Sequence, residues 1–255
     1  TGRYAELSML PLSFREYTEI TGAQRDAAFA EYLKYGGLSY VASMEKTEDR
    51  QSRKESDPDK RKVTDITLLK TIAQYLPSVI GSQVSVKSVA DYMTSTGRRV
   101  SANTGDDYME ALAESFIFYP VGRFNIMGKQ VLKTNQKWYM VDLGLRSHIL
   151  PRRNYDLGFS LENVVYFELL RRDYQVNIGK VGSGAVDFVA QKQGTLTYFQ
   201  VTADMTAQET FEREMKPLRA IRDNYPKVVL TLDRFTPGDY EGIQVLQVTD
   251  WLLGK

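Results

Sequence analysis

Residues 161–202 read LENVVYFELLRRDYQVNIGKVGSGAVDFVAQKQGTLTYFQVT. Apolar side chains at Leu161, Val164, Val165, Leu169 and Leu170 recur close to every 3.6 residues, which predicts a helix. Three strand-like runs follow, at 174–180, 186–191 and 195–202. The short turn ending in Gly194 predicts a hairpin between the last two. Glu162, Asp187 and Gln200 stand where a purely apolar sheet would not need polar groups. With the helix expected near 209–224, interrupted at Pro217, and strands at 227–233 and 243–248, the order predicts a mixed sheet flanked by helices. The fold class is α/β, or α+β taken over the whole chain.

Bulk properties narrow the chemistry. The chain has 255 residues, 42% of them hydrophobic and 25% charged, with a net charge of +1. That is the composition of a globular protein, with no overall basic bias to announce nucleic acid. There is no cysteine and one histidine, His148, so disulfides, thiolate metal sites and multi-histidine sites are excluded. Any metal would need carboxylate ligands, which suit magnesium or manganese. No apolar run approaches the ~20 residues of a membrane span, so no membrane partner and a cytoplasmic location are expected. His148 has no acidic or nucleophilic neighbour in sequence and reads as a surface or packing residue.

Upstream, Ser13 followed by Glu16 fits a capping box, and a helix over 23–35 stops at Gly36-Gly37. Residues 45–62, EKTEDRQSRKESDPDKRK, contain no aliphatic or aromatic side chain and predict a flexible charged linker. Three helices are then expected, at 66–80, 86–93 and from Ser101 to about 116. Two strand-like runs, 116–124 and 130–142, come next, and a short connector carries the chain to 155. Three helices and a two-stranded ribbon are the order of a winged helix-turn-helix. The division expected is 1–44, 45–64 as linker, 65–150 as winged helix and 151–255 as the mixed-sheet domain.

The final domain carries the chemistry. Carboxylates that share a cation can activate water at a phosphodiester, and a nearby lysine can hold developing charge. Asp187 lies on one predicted strand and Gln200 on the next, where Gln200 and Thr202 share a face. This pattern resembles the PD-(D/E)XK nuclease superfamily. The resemblance places Glu162 at the helical acid, Asp187 at the strand acid and possible metal ligand, Gln200 at the Glu/Gln position and Thr202 where lysine usually stands. A threonine carries no charge to stabilise an anion, and Lys180 and Lys192 are the neighbouring lysines. The set is therefore expected to be degenerate.

A wider resemblance runs through TGRYAELSMLPLSFREY, YLKYGGLSYV, SVADYMTSTGRRVSANT, LKTNQKWYMVDLGLR, LENVVYFELLRRDYQV and VDFVAQ…YFQVT, in that order. It is similar to the C-terminal part of a prokaryotic family of AAA+-type P-loop ATPases that ends in a domain of unknown function. The resemblance implies that residues 1–17 close the ATPase core, with Arg3 facing nucleotide, and that ATP belongs to the full-length parent. No G-x-x-x-x-G-K-[ST] occurs here, so this stretch is not expected to hydrolyse ATP.

DNA is one partner the winged helix could take. Lys87, Arg98, Arg99, Lys129, Lys133 and Lys137 could meet phosphates, and Asn103 and Thr104 could reach bases. Against this, the recognition helix carries Asp106, Asp107, Glu110 and Glu114. The expectation is a non-catalytic region that binds nucleic acid or a protein partner. The alternatives are a magnesium-dependent nuclease using Glu162, Asp187 and Gln200, and a protein-interaction or self-association module.

Overall fold

The computed structural model describes residues 9–38, 65–150 and 157–255. The expected linker and Arg3 lie outside them. The chain is mixed α/β, built on a large mixed sheet. Among the described residues no helix is long and apolar enough to cross a membrane.

The first helices form a pair. α1 (Phe14–Thr21) starts at Ser13, whose hydroxyl accepts from the Glu16 N–H while the Glu16 carboxylate accepts from the Ser13 N–H. That is the capping box expected from sequence. α2 (Arg25–Tyr35) ends at Gly36, which sits at φ 77°. What holds this end is Asp142, over a hundred positions away in sequence. Its buried carboxylate accepts from the N–H groups of Gly37 (2.7 Å), Leu38 (3.2 Å) and Leu145 (3.0 Å). A Cβ on Gly36 would lie 2.1 Å from that carboxylate, and one on Gly144 would lie 2.0 Å from the Tyr35 carbonyl. The glycines are there because two backbones interlock around one acid.

Asp142 also caps α6 (Leu143–Ile149), so the first part of the expected connector is helix. The signal was an Asp N-cap directly before Leu143. α3 (Ile66–Tyr75) is shorter than expected. It tightens into a 3₁₀ turn at Leu76–Val79, where Pro77 cannot continue the ladder, and Ile66 is 63% exposed. A two-residue strand, β1 (Gln83–Val84), follows unannounced, then α4 (Val86–Ser95) and α5 (Ala102–Glu114). Ser101 caps α5 as expected. Strand β2 (Phe118–Asn125) begins later than expected, because Phe116 turns at φ 58° and stands 62% exposed, outside the core. β3 (Gln130–Met140) pairs with it.

α7 (Leu157–Arg171) is buried almost all round from Ser160 to Leu169, as befits a helix in the middle of the molecule. Strands β4 (Gln175–Val181), β5 (Gly184–Lys192) and β6 (Thr195–Thr202) form a meander. The β5–β6 turn is the pair Gln193-Gly194, both at positive φ (49° and 81°), which matches strand twist. α8 (Gln208–Arg219) keeps Pro217 in its last turn and stops two residues later. β7 (Lys227–Thr231), β8 (Gly238–Tyr240), β9 (Ile243–Gln247) and α9 (Val248–Leu253) complete the chain.

Among the described residues nine strands make one sheet, ordered β1-β3-β2-β4-β5-β6-β7-β9-β8. The boundary expected at residue 150 is thus spanned by a continuous sheet. The join is a parallel pairing of β2 with β4 over Arg123–Asn125 and Ile178–Lys180. Leu161, Val165 and Leu169 of α7 pack with Phe188, Ala190, Phe199 and Val201 in one core. Met215 and Leu218 of α8 pack with Val186, Val189 and Tyr198 in a second.

Two irregularities break the ladder near the centre of the sheet. Between β4 and β5, Asn177 pairs with Val189 and Gly179 with Val186, so Ile178 faces both Asp187 and Phe188. This bulge puts Val186 and Val189 into the same core and re-aims Asp187. It requires Gly179, where a Cβ would meet Val186 at 2.2 Å and Val189 at 2.9 Å. Gly179→Ala is therefore expected to cost about 1–3 kcal/mol through overpacking, read from urea denaturation. Between β2 and β3, Val121 pairs with Lys137 and Arg123 with Leu132, so Gly122 faces residues 133–136. Lys137 is the first residue of β3 to pair with β2 again beyond that excursion.

Candidate functional site

Asp187 and Gln200 meet where β5 and β6 part. Regular pairing stops at Phe188 and Phe199, and side chains take over from the ladder. The Val201 N–H donates to Asp187 Oδ2 at 2.9 Å, and the Asp187 N–H donates to Gln200 Oε1 at 3.3 Å. Gln200 Nε2 then donates to Glu214 Oε2 on α8 at 2.8 Å, and Arg213 holds the other Glu214 oxygen at 2.9 and 3.1 Å. On the other side, the buried helix α7 brings Glu162 to the same place.

The residue that joins them was not among those expected here. Lys137 Nζ donates to Glu162 Oε2 at 2.7 Å and lies 3.6 Å from Asp187 Oδ1. The Tyr139 hydroxyl donates to the same Glu162 oxygen at 3.1 Å. The expected neighbours do something else. Lys192 donates to the Arg172 carbonyl and lies over the Tyr174 ring, and among the described residues Lys180 forms no ion pair with either carboxylate. Thr202, in the position where lysine was sought, donates to the Asp204 carbonyl. The available clue was the Lys-x-Tyr spacing of Lys137 and Tyr139, which puts both on one face of β3. Nothing local showed that this face would meet α7.

Burial dominates the electrostatics. Glu162 is 7% exposed and packed beside Tyr139, which stacks on Tyr166 at 4.6 Å. Loss of water pushes the Glu162 carboxyl up to about 8. The Asp187 charge adds to the rise, and Lys137 and Tyr139 oppose it. Burial also raises Asp187, against the pull of Lys137 and the Val201 N–H. Burial works to lower Lys137, but Glu162 and Asp187 together outweigh it and leave the ammonium raised. Burial takes the Tyr139 hydroxyl well above its ordinary range. The cluster is self-neutralising: one ammonium is shared by two carboxylates, and one of those carboxylates is inclined to keep its proton.

The donors suit a hard cation in kind, since Glu162 and Asp187 offer carboxylate oxygens. The arrangement does not fit one. Lys137 already stands between the two acids, both ends of the Gln200 amide are bonded, and Asp187 Oδ2 is tied to backbone. Among the described residues no group of three His, Cys, Asp or Glu side chains is placed to hold a metal.

The residues expected to contact nucleic acid are spread over the winged-helix segment. Lys87, Arg99, Asn103 and Lys129 are exposed. Arg98 pairs with Asp65 at 2.7 Å, and the Thr104 hydroxyl bonds that of Ser101. The Lys133 side chain and Arg3 lie outside what the structure describes. Asp106, Asp107, Glu110 and Glu114 are exposed on α5.

Comparison with known proteins gives the setting. A protein of Haemophilus influenzae, described as an uncharacterized protein, is 34% identical over 266 aligned positions. The alignment takes in 99% of this chain and 66% of the relative, so the chain spans a little under two thirds of that protein's length. Residues 26–156, from α2 to the end of the ribbon and its following helix, match the family described as "Domain of unknown function (DUF8612)". The chain belongs to that family.

Proposed function

We propose that this chain is the C-terminal part of an AAA+-type ATPase and acts as a non-catalytic binding region, with a winged helix at 65–150 and a nuclease-like frame at 151–255. The observation that carries the non-catalytic reading is the Lys137 ammonium seated between Glu162 and Asp187. A nuclease of this type needs those carboxylates for a metal ion. The order α3, β1, α4, α5, β2, β3, with β1 beside β3, supports the winged helix. The helix–strand–strand–strand–helix–strand order from α7 to β7, with Glu162, Asp187 and Gln200 brought together, supports the nuclease-like frame.

A protein partner is favoured over DNA. The exposed face of α5 carries Asp106, Asp107 and Glu110, which would meet phosphates with like charge. Arg98 is already engaged by Asp65. DNA is the second reading because Lys87, Arg99 and Lys129 remain exposed. Two measurements test this. Plasmid incubated with the protein and magnesium or manganese is expected to stay intact, and cleavage abolished by Asp187→Ala would overturn the non-catalytic reading. Duplex DNA at low salt is expected to show no saturable binding. Tight binding that weakens steeply with salt, and is lost in Arg99→Glu with Lys129→Glu, would establish DNA as the partner instead.

A further inference from the structure

Both ends of β2 hold apolar side chains out to water, and in each case the backbone fixes them there. Beyond its last residue, Asn125 and Gln130 close the β2–β3 ladder. The Asn125 side chain accepts from the Gly128 N–H at 3.1 Å, and the Ile126 N–H donates to the Lys180 carbonyl at 3.1 Å. Ile126 itself is buried in the second core. The ribbon tip is thereby pinned, with Met127 75% and Val131 64% exposed. Lys129 stands exposed in the same turn, and the half-buried Arg123 and Lys180 lie on the adjoining stretches of β2 and β4. Before the first residue of β2 the charge is opposite. Asp106 and Asp107 are exposed on α5, and the chain leaves that helix through Phe116, 62% exposed at φ 58°. Phe116 follows the C-cap Ser115, where a left-handed backbone ordinarily takes Gly or Asn. Phenylalanine there costs about 1–3 kcal/mol of backbone strain, and so exposed a ring gains little burial to offset it.

Among the described residues, Asp106, Asp107, Arg123, Lys129 and Lys180 enter no ion pair. Each end therefore offers an apolar anchor beside charge of one sign, and the two signs are complementary. One molecule cannot join its own two ends, because the 8 residues of β2 hold them roughly 25 Å apart. We propose that the ribbon tip of one copy of this chain docks on the α5 end of the next. Met127 and Val131 cover Phe116, and Lys129 faces Asp106 and Asp107. A contact between two different surfaces leaves one of each free in a pair, so it builds rings or chains rather than a closed dimer. The pinned turn and the fixed Phe116 backbone present both anchors already ordered, which lowers the entropy lost on docking. The inference rests on the reading that the partner is a protein, and it identifies that protein as a second copy.

The test follows the full chain by sedimentation velocity as its concentration is raised. Species larger than a dimer are expected to appear at about 10–100 μM and to recede as salt is added. A ribbon variant, Met127→Ser/Lys129→Ser, and a helix variant, Asp106→Asn/Asp107→Asn/Phe116→Asn, are compared with wild type. All five positions are exposed, and asparagine suits the left-handed backbone at 116. Each variant alone is expected to associate at least tenfold more weakly than wild type. Their equimolar mixture should stop at a one-to-one dimer, because each keeps the half that the other lacks. That dimer also shows that both variants fold. A wild type that stays monomeric over the whole range overturns the proposal. So does either variant assembling as wild type does, or a mixture that yields no dimer. These outcomes are separate from failure of the underlying reading. Saturable, salt-sensitive DNA binding by the wild-type monomer removes the protein-partner reading itself, whereas a monomer that ignores DNA removes only the head-to-tail contact.

Discussion

Asp142→Ala is expected to lower the unfolding free energy by roughly 3–5 kcal/mol, or about 10 °C of melting temperature for a chain of this size. The acid is 3% exposed and accepts from three backbone N–H groups. One of these is the cap of α6, worth about 1 kcal/mol by itself. The other two belong to the Gly37-Leu38 turn, where alanine leaves the buried Gly37 donor unsatisfied at about 1–3 kcal/mol and the half-buried Leu38 donor at less. Alanine also leaves a void where Gly36 and Gly144 were kept bare to admit the carboxylate. Asp142→Asn retains one acceptor oxygen and should recover about half of the loss. Urea denaturation of the three proteins decides this. A cost below about 1 kcal/mol for alanine would show that water replaces the acid at the turn.

The second large effect is pH-dependent. Lys137→Met is expected to cost roughly 3–5 kcal/mol at pH 8, because it leaves two buried acids facing one another. The cost should shrink toward pH 5. Burial and the Asp187 charge raise Glu162 from 4.5 to about 8 in the folded protein, so folding favours its protonated form. A raised group gives stability that is full below its unfolded value and lost as pH climbs through the folded one. Wild type should therefore weaken between about pH 4.5 and pH 8 on account of this residue. Lys137→Met should weaken more steeply, since Lys137 opposes the rise. Adding Glu162→Gln removes the titrating group, and it should flatten the curve and restore much of the stability at pH 8. A Lys137→Met cost that is the same at pH 5 and pH 8 would contradict this account.

Much of the architecture could be read from local chemistry. The Ser13–Glu16 box, the Ser101 cap, the glycine stop after Tyr35 and the Gln193-Gly194 turn each act within a few residues, and each is found in its place. The misjudged boundaries have local causes as well. Pro77 tightens α3 into a 3₁₀ turn, and the backbone at Phe116 turns left-handed before β2 can start. Glu162, Asp187 and Gln200 were legible as a set because period-2 and helical spacing already place them near one sheet. Lys137 was not legible. It meets Glu162 only because β2 pairs in parallel with β4, and no local pattern announces a parallel pairing across two segments of different character. The bulge that aims Asp187 was hidden for a similar reason, since it is defined by the partner strand.

The pairing of β2 with β4 has a mechanical side. It joins the two parts of the sheet through three residue pairs, whereas β6 and β7 are joined through five. A force drawing the ribbon away from the meander would find its weakest line there. Lys137 sits on the ribbon side of that line, and Glu162 and Asp187 sit on the other. The buried ammonium thus works as a rivet across a thin weld, set beside the Tyr139–Glu162 and Met140–Asn163 hydrogen bonds that cross the same line.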